Sequence, residues 1–122
     1  MTGIRRFREG PWEWLEAEAT RPAPCRGKYL FFSSRRDLLL KIARREIGAG
    51  GYRSSKISRD PVPGRRGYVL CLYGADGSGE SALALRYSGW KGIRYAGWKG
   101  DACTLSDFHR KMCVNKGDLA IR

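Results

Sequence analysis

The sequence predicts an α+β sandwich: an antiparallel sheet of about four to five strands, helices packed on one face, and the other face left as a cleft. Three observations carry this expectation. Two short apolar runs, Gly27–Ser33 and Tyr68–Tyr73, have strand length and composition. A 3.6-residue apolar period follows the first run, between Ser34 and Ile47. The remaining segments continue the pattern to the order β-α-β-β-α-β, which suits an antiparallel sheet with helices to one side.

Taken in order, residues 1–10 read as a loosely ordered arm, and residues 11–122 as a single domain. Pro11–Ala19 suits a short helix or an edge strand. Thr20-Arg-Pro-Ala-Pro-Cys25 is a connector that continues neither. Gly27–Ser33 is apolar on both faces and therefore central. Ser34-x-x-Asp37 resembles a capping box opening a helix to about Ile47. Leu38, Leu39, Ile42, Ala43 and Ile47 form its apolar side, with Lys41, Arg44 and Arg45 roughly opposite. Gly48-Ala-Gly-Gly51 ends it. Tyr52–Arg59 alternates weakly, as a half-exposed strand does, and Asp60–Gly67 is a hairpin connection with Arg65 and Arg66 at its tip. After the buried strand Tyr68–Tyr73 and the loop Gly74–Gly79, Glu80–Tyr87 suits a helix with Ala82, Leu83 and Leu85 packing inward. Ile93–Trp98 suits a further strand, and Ser106–Val114 a closing helix.

Charge points to the partner. The 122-residue chain carries 24 Lys+Arg against 12 Asp+Glu, a formal charge of +12. Such an excess opposes compaction unless a polyanion offsets it. Setting aside the first eighteen residues leaves 21 bases against 8 acids, so the positive field belongs to the folded body. No apolar run approaches the ~20 residues of a membrane span, and no signal-peptide core follows the N-terminal charges. An intracellular protein is expected, with no membrane partner.

Catalysis is hard to assemble from these residues. His109 is the only histidine, and neither a Ser/His/Asp order nor H-E-x-x-H occurs. Asp60, Asp101 and Asp107 would have to hold Mg²⁺ in a nuclease, but acids in turns and caps are ordinarily structural. Gly77-x-Gly79 lacks a Walker lysine. Cys25, Cys103, His109 and Cys113 match no common zinc spacing, and Cys71 reads as a small core residue. The expectation is a non-enzyme without cofactor or metal.

Interleaved aromatic and basic residues suit single-stranded nucleic acid, because bases stack on rings while cations neutralise phosphates. Tyr87-Ser-Gly-Trp-Lys-Gly92 recurs as Tyr95-Ala-Gly-Trp-Lys-Gly100, offering Lys91, Tyr95, Trp98 and Lys99, with Arg94 between the copies. A second cluster comprises Arg26, Lys28, Tyr29 and Phe31, with Tyr52, Arg53 and Lys56 on the next strand. Alternation puts Tyr29 and Phe31 on one face and Leu30 and Phe32 on the other; the first pair is assigned to the open side. Arg65 and Arg66 add phosphate contacts. Trp98, at a strand end, is the expected platform in preference to Trp90, while Trp12 and Trp14 either close the groove or staple the N-terminus to the sheet.

These residues also fall into blocks that resemble a known series. They are Gly27-Lys-Tyr-Leu-Phe-Phe, Lys56-Ile-Ser, Gly67-Tyr-Val-Leu-Cys-Leu-Tyr, Leu85-Arg-Tyr with Gly89, and Gly100-Asp-Ala-Cys-Thr. Over roughly residues 12–114 the chain resembles the small α+β domain of the Thermo-DBP-related single-stranded nucleic-acid-binding proteins of hyperthermophilic archaea. That domain is similar to the sandwich of messenger-RNA cap-binding proteins. The resemblance implies helices on one side of a sheet and a cleft lined by aromatic and basic residues. The chain lacks the C-terminal heptads through which some members dimerise, so a homo-oligomer would use another surface. The combined expectation is a cytoplasmic, nucleoid-associated, non-sequence-specific single-stranded DNA-binding protein. An RNA-binding accessory protein and a small Mg²⁺-dependent nuclease are the alternatives.

Overall fold

The computed structural model describes residues 3–18, 27–64, 67–74 and 77–100. Among these residues six strands form one antiparallel sheet: β1 (Ile4–Glu9), β2 (Trp12–Ala17), β3 (Gly27–Ser33), β4 (Ser54–Ser58), β5 (Tyr68–Gly74) and β6 (Arg94–Gly100), in the order β1-β2-β4-β5-β3-β6. Among the same residues two α-helices, α1 (Arg36–Gly48) and α2 (Glu80–Tyr87), join them. The class is α+β as expected, but the sheet has six strands and begins with an extra hairpin.

The first strand of that hairpin occupies the stretch expected to be a loose arm, and the second falls where a short helix or an edge strand was expected. β1 pairs with β2 from Ile4↔Ala17 to Glu9↔Trp12 around the Gly10-Pro11 turn. Its six residues carry four charges, so little in its own pattern marks a strand. Its support comes from across the ladder: Arg5 pairs with Glu16 at 2.6 Å and Arg6 with Glu13 at 2.5 Å. A charged strand also makes a poor template for further pairing, which suits the edge position. β2 is consequently internal. It covers the other side of β4, whose Ser55, Lys56, Ile57 and Ser58 are all buried where a half-exposed strand was expected.

The register sorts the side chains into two faces. One face carries Leu15, Tyr29, Phe31, Ile57, Leu70 and Leu72, all in a single core with residues of both helices. α1 contributes Leu39, Ile42, Ala43 and Ile47, and α2 contributes Leu83 and Tyr87. Both helices therefore lie on this face. The expected capping box is not formed at α1. Arg35 is the extended N-cap residue, its N–H donates to Ser33 Oγ at 2.9 Å, and Asp37 accepts from the Arg35 guanidinium at 2.9 Å.

α2 has the expected bounds but only part of the expected apolar side. Leu83 and Tyr87, four apart, point inward, whereas Ala82 is exposed and Leu85 is 78% exposed. Two residues along an α-helix turn the side chain about 200°, so burying Leu83 turns Leu85 to the outside.

β6 contains a bulge. Leu30 pairs with Gly97 but Phe31 pairs with Tyr95, which leaves Ala96 as an extra residue. Gly97 takes φ +104°, a conformation that L side chains resist. The extra residue puts Tyr95 and Trp98 on the same face although they are three apart: Tyr95 lies beside Phe31 and Trp98 beside Tyr29. Among the described residues no helix is long and apolar enough to cross a membrane. The closing helix expected at Ser106–Val114 lies outside the described residues, as do Cys25, Cys103, His109 and Cys113.

Candidate nucleic-acid interface

The alternation expected along β3 is present, but its faces are reversed. Tyr29 and Phe31 point at the helices and are buried, while Leu30 and Phe32 lie on the other face with Val69, Cys71 and Tyr73. Helices of thirteen and eight residues cover a six-strand face, and large rings fill the layer between them. Phe31 sits 5.5 Å from Tyr87 and 4.9 Å from Tyr95, centroid to centroid. The Tyr29 ring lies 4.8 Å from Trp98 and 5.6 Å from Tyr52, and its hydroxyl accepts from the Gly79 N–H at 2.9 Å. Burial raises the Tyr52 hydroxyl to a pKa of about 12, and the neighbouring Tyr29 adds to the shift. Burial, with the charge of Glu80 adding to it, also raises the Tyr95 hydroxyl.

Trp98 belongs to the same layer. A Cβ on Gly27 would stand 2.5 Å from its ring, and one on Gly77 would stand 3.1 Å away. Both glycines thus admit the indole. Trp98 is a packing residue, and the bulge is the reason its strand-end position does not leave it free. Trp98→Ala is expected to destabilise by about 2–3 kcal/mol, below the fully buried range because the ring keeps some exposure. Thermal denaturation should show a drop of roughly 10–20 °C; an unchanged melting temperature would return the ring to the surface.

The second face of the sheet brings aromatic and basic residues together, but they engage one another. Trp14 stacks between Phe7 at 6.3 Å and Tyr73 at 5.9 Å. The Lys56 ammonium lies 4.1 Å from the Trp12 ring centroid and 5.4 Å from that of Trp14. Lys56 and Lys28 are each 0% exposed, so neither presents its charge to a strand passing over the surface. Cys71 between them is buried, and burial pushes its thiol up to about 11, as suits a core residue. At the β6 end, Arg94 is exposed with its guanidinium 4.9 Å over Phe32, and Lys99 is half-buried beside Lys28. Arg53 is exposed before β4. Arg26, Arg65 and Arg66 lie outside the described residues. The expected constellation is therefore divided between a core, a self-stacked sheet face and scattered surface cations.

A different grouping is exposed. An open basin of about 480 Å³ is lined by Leu38, Lys41, Arg45, Trp90 and Lys91. Leu38, Lys41 and Arg45 follow the i, i+3, i+7 stripe of α1, so one helix face supplies an apolar contact and two cations. Trp90 and Lys91 come from the turn after α2. There the Trp90 N–H donates to the Tyr87 carbonyl at 3.1 Å, and its ring packs edge-to-face on Tyr87 at 4.9 Å.

A buried polar group holds these walls together. Glu46 of α1 accepts from the Tyr87 hydroxyl and, with both oxygens at 2.8 Å, from the Arg86 guanidinium. Burial and the hydrogen bond to Glu46 raise the Tyr87 hydroxyl. Arg45 lies 5.9 Å over the Tyr87 ring. Among the described residues, Lys41 and Lys91 have no acidic partner. Of the basin residues, the sequence reading takes Lys91 for binding, leaves Trp90 open between core and binding, and does not single out Lys41 or Arg45. The exposed basic stripe of α1 was the available signal; its meeting with Trp90 was not. Comparison with known proteins finds no matching family model, no matching curated protein and no matching solved structure.

Proposed function

We propose that this protein binds single-stranded nucleic acid, DNA in the first instance, as a non-catalytic and non-sequence-specific ligand. The observation that supports the reading best is the half-buried Trp90 in an open basin with Lys41, Arg45 and Lys91. An indole offers a stacking surface to any base, and cations beside it neutralise the adjoining phosphates. Arg45 adds a planar fork that matches two phosphate oxygens at once. The formal charge of +12 supplies the wider attraction. This assignment moves the stacking role from Tyr29, Phe31 and Trp98 to Trp90. Kinship with the Thermo-DBP-related proteins, assembly from identical chains and association with the nucleoid belong to the same proposal.

The test is a fluorescence-anisotropy titration of single-stranded DNA, single-stranded RNA and duplex of equal length in one buffer. Single strands should bind more tightly than duplex, because only unstacked bases can use the indole. Trp90→Ala should cost about 1–3 kcal/mol of that affinity, the value of one stacked base. Lys41→Ala and Lys91→Ala should each flatten log K against log salt by ~0.7 for every phosphate the variant no longer neutralises. Duplex binding as tight as single-strand binding, or basin variants that bind like the parent, would defeat the proposal.

A further inference from the structure

We infer that the basin seats the end of a strand, namely one terminal nucleotide carrying a phosphomonoester, and this rests on the nucleic-acid reading just given. Its size and lining argue for a single nucleotide. The basin is open, and its volume of about 480 Å³ lies within the range of small-molecule sites. Its lining includes one aromatic, Trp90, and so provides for one base. A groove that follows a running strand uses successive rings along a basic track.

The charge argues for an end. Lys41, Lys91 and Arg45, three basic residues, all line that one space. An internal phosphodiester brings a single negative charge. A phosphomonoester at neutral pH carries about −1.5 to −2, with three strong acceptor oxygens. Three cationic donors around three oxygens use the set fully, and Arg45 can engage two of those oxygens in parallel. Leu38 supplies an apolar contact on the same helix stripe, suited to the edge of a base stacked on the indole.

The experiment compares strands of one sequence bearing a 5′-phosphate, a 3′-phosphate or hydroxyls at both ends, together with a hydroxyl-ended strand one nucleotide longer. A phosphorylated end should bind about tenfold more tightly than the hydroxyl-ended strand, the size of one further charge-assisted hydrogen bond. The longer strand, which adds charge without a monoester, should not reproduce the gain. The gain should vanish in K41A and in K91A, exposed substitutions whose circular-dichroism melts should match the parent. Equal affinity for phosphorylated and hydroxyl ends, with Trp90→Ala still weakening both, would overturn the end assignment and keep single-strand binding. A gain that survives the double variant K41A/K91A would also overturn it, as would a free mononucleotide that competes as well as the strand. No affinity for any strand would overturn both readings.

Discussion

Phe31→Ala should cost about 3–5 kcal/mol of folding stability, the range for truncating a buried Phe. The ring is fully buried at the meeting point of three elements. It lies edge-on to Tyr87 of α2, tilted against Tyr95 of β6, and opposite Leu70 of β5 in the register. Neither neighbouring tyrosine is free to collapse into the vacancy. Tyr87 is tied to Glu46, and Tyr95 follows the bulged ladder of β6. The cavity should therefore persist, and the cost should fall at the upper part of the range. For a chain of this size the melting temperature should drop by roughly 15–30 °C. Phe32→Ala, one residue along, removes a half-buried ring from the other face and should cost less than half as much. Urea denaturation of both variants, with strand affinity measured under folding conditions, separates a packing role from a binding one. A Phe31 variant that melts like the parent but binds strands weakly would put Phe31 on a ligand surface and undo the two-face assignment.

The elements that were legible in the sequence are those whose signals are local. The apolar runs of β3 and β5, the 3.6-residue period of α1 and the glycines bounding α2 lie close to where the structure has them. β1 was not legible, because the Glu13 and Glu16 partners that steady its arginines lie across a hairpin. Nor was the bulge. Counting alternation from Tyr95 puts Trp98 on the opposite face, and a single extra residue at Ala96 reverses the result for everything beyond it. The duplicated Tyr-x-Gly-Trp-Lys-Gly segment teaches the same lesson. Its first copy ends a helix and forms a turn, whereas its second is a strand, so a shared local motif did not determine one conformation. The basin joins a stripe of α1 to Trp90 and Lys91, more than forty residues further on. Each half was visible in the sequence, but their meeting depends on how the two helices pack on the sheet.

Glu13→Gln should destabilise the fold by about 3 kcal/mol at neutral pH and reduce its acid sensitivity. The Glu13 side chain is 5% exposed and accepts from Arg6 Nε and Arg36 Nη2, each at 2.5 Å. Arg36 Nε also donates to the Ser58 carbonyl at 3.0 Å, so this carboxylate ties α1 to β1, β2 and β4. The Arg6 hydrogen bond, followed by that of Arg36 and the charges of both, holds the Glu13 pKa at about 2 against desolvation that would raise it. A carboxyl held below its ordinary value of 4.5 stabilises the fold above that value. The contribution fades as pH falls from 4.5 towards 2 and is gone below the folded value; for this shift it amounts to about 3 kcal/mol. Glutamine keeps the shape but leaves Arg36, largely buried, facing a neutral amide, and breaking one side of such a pair is costly. Melting temperatures of parent and variant, measured from pH 7 down to about pH 2, should differ most at the top and converge at the bottom. Parallel curves with a constant offset would mean that the loss came from packing and not from charge. Convergence would identify the Arg6–Glu13–Arg36 bridge as the clamp that seats the first turn of α1, the helix whose Lys41 and Arg45 line the basin.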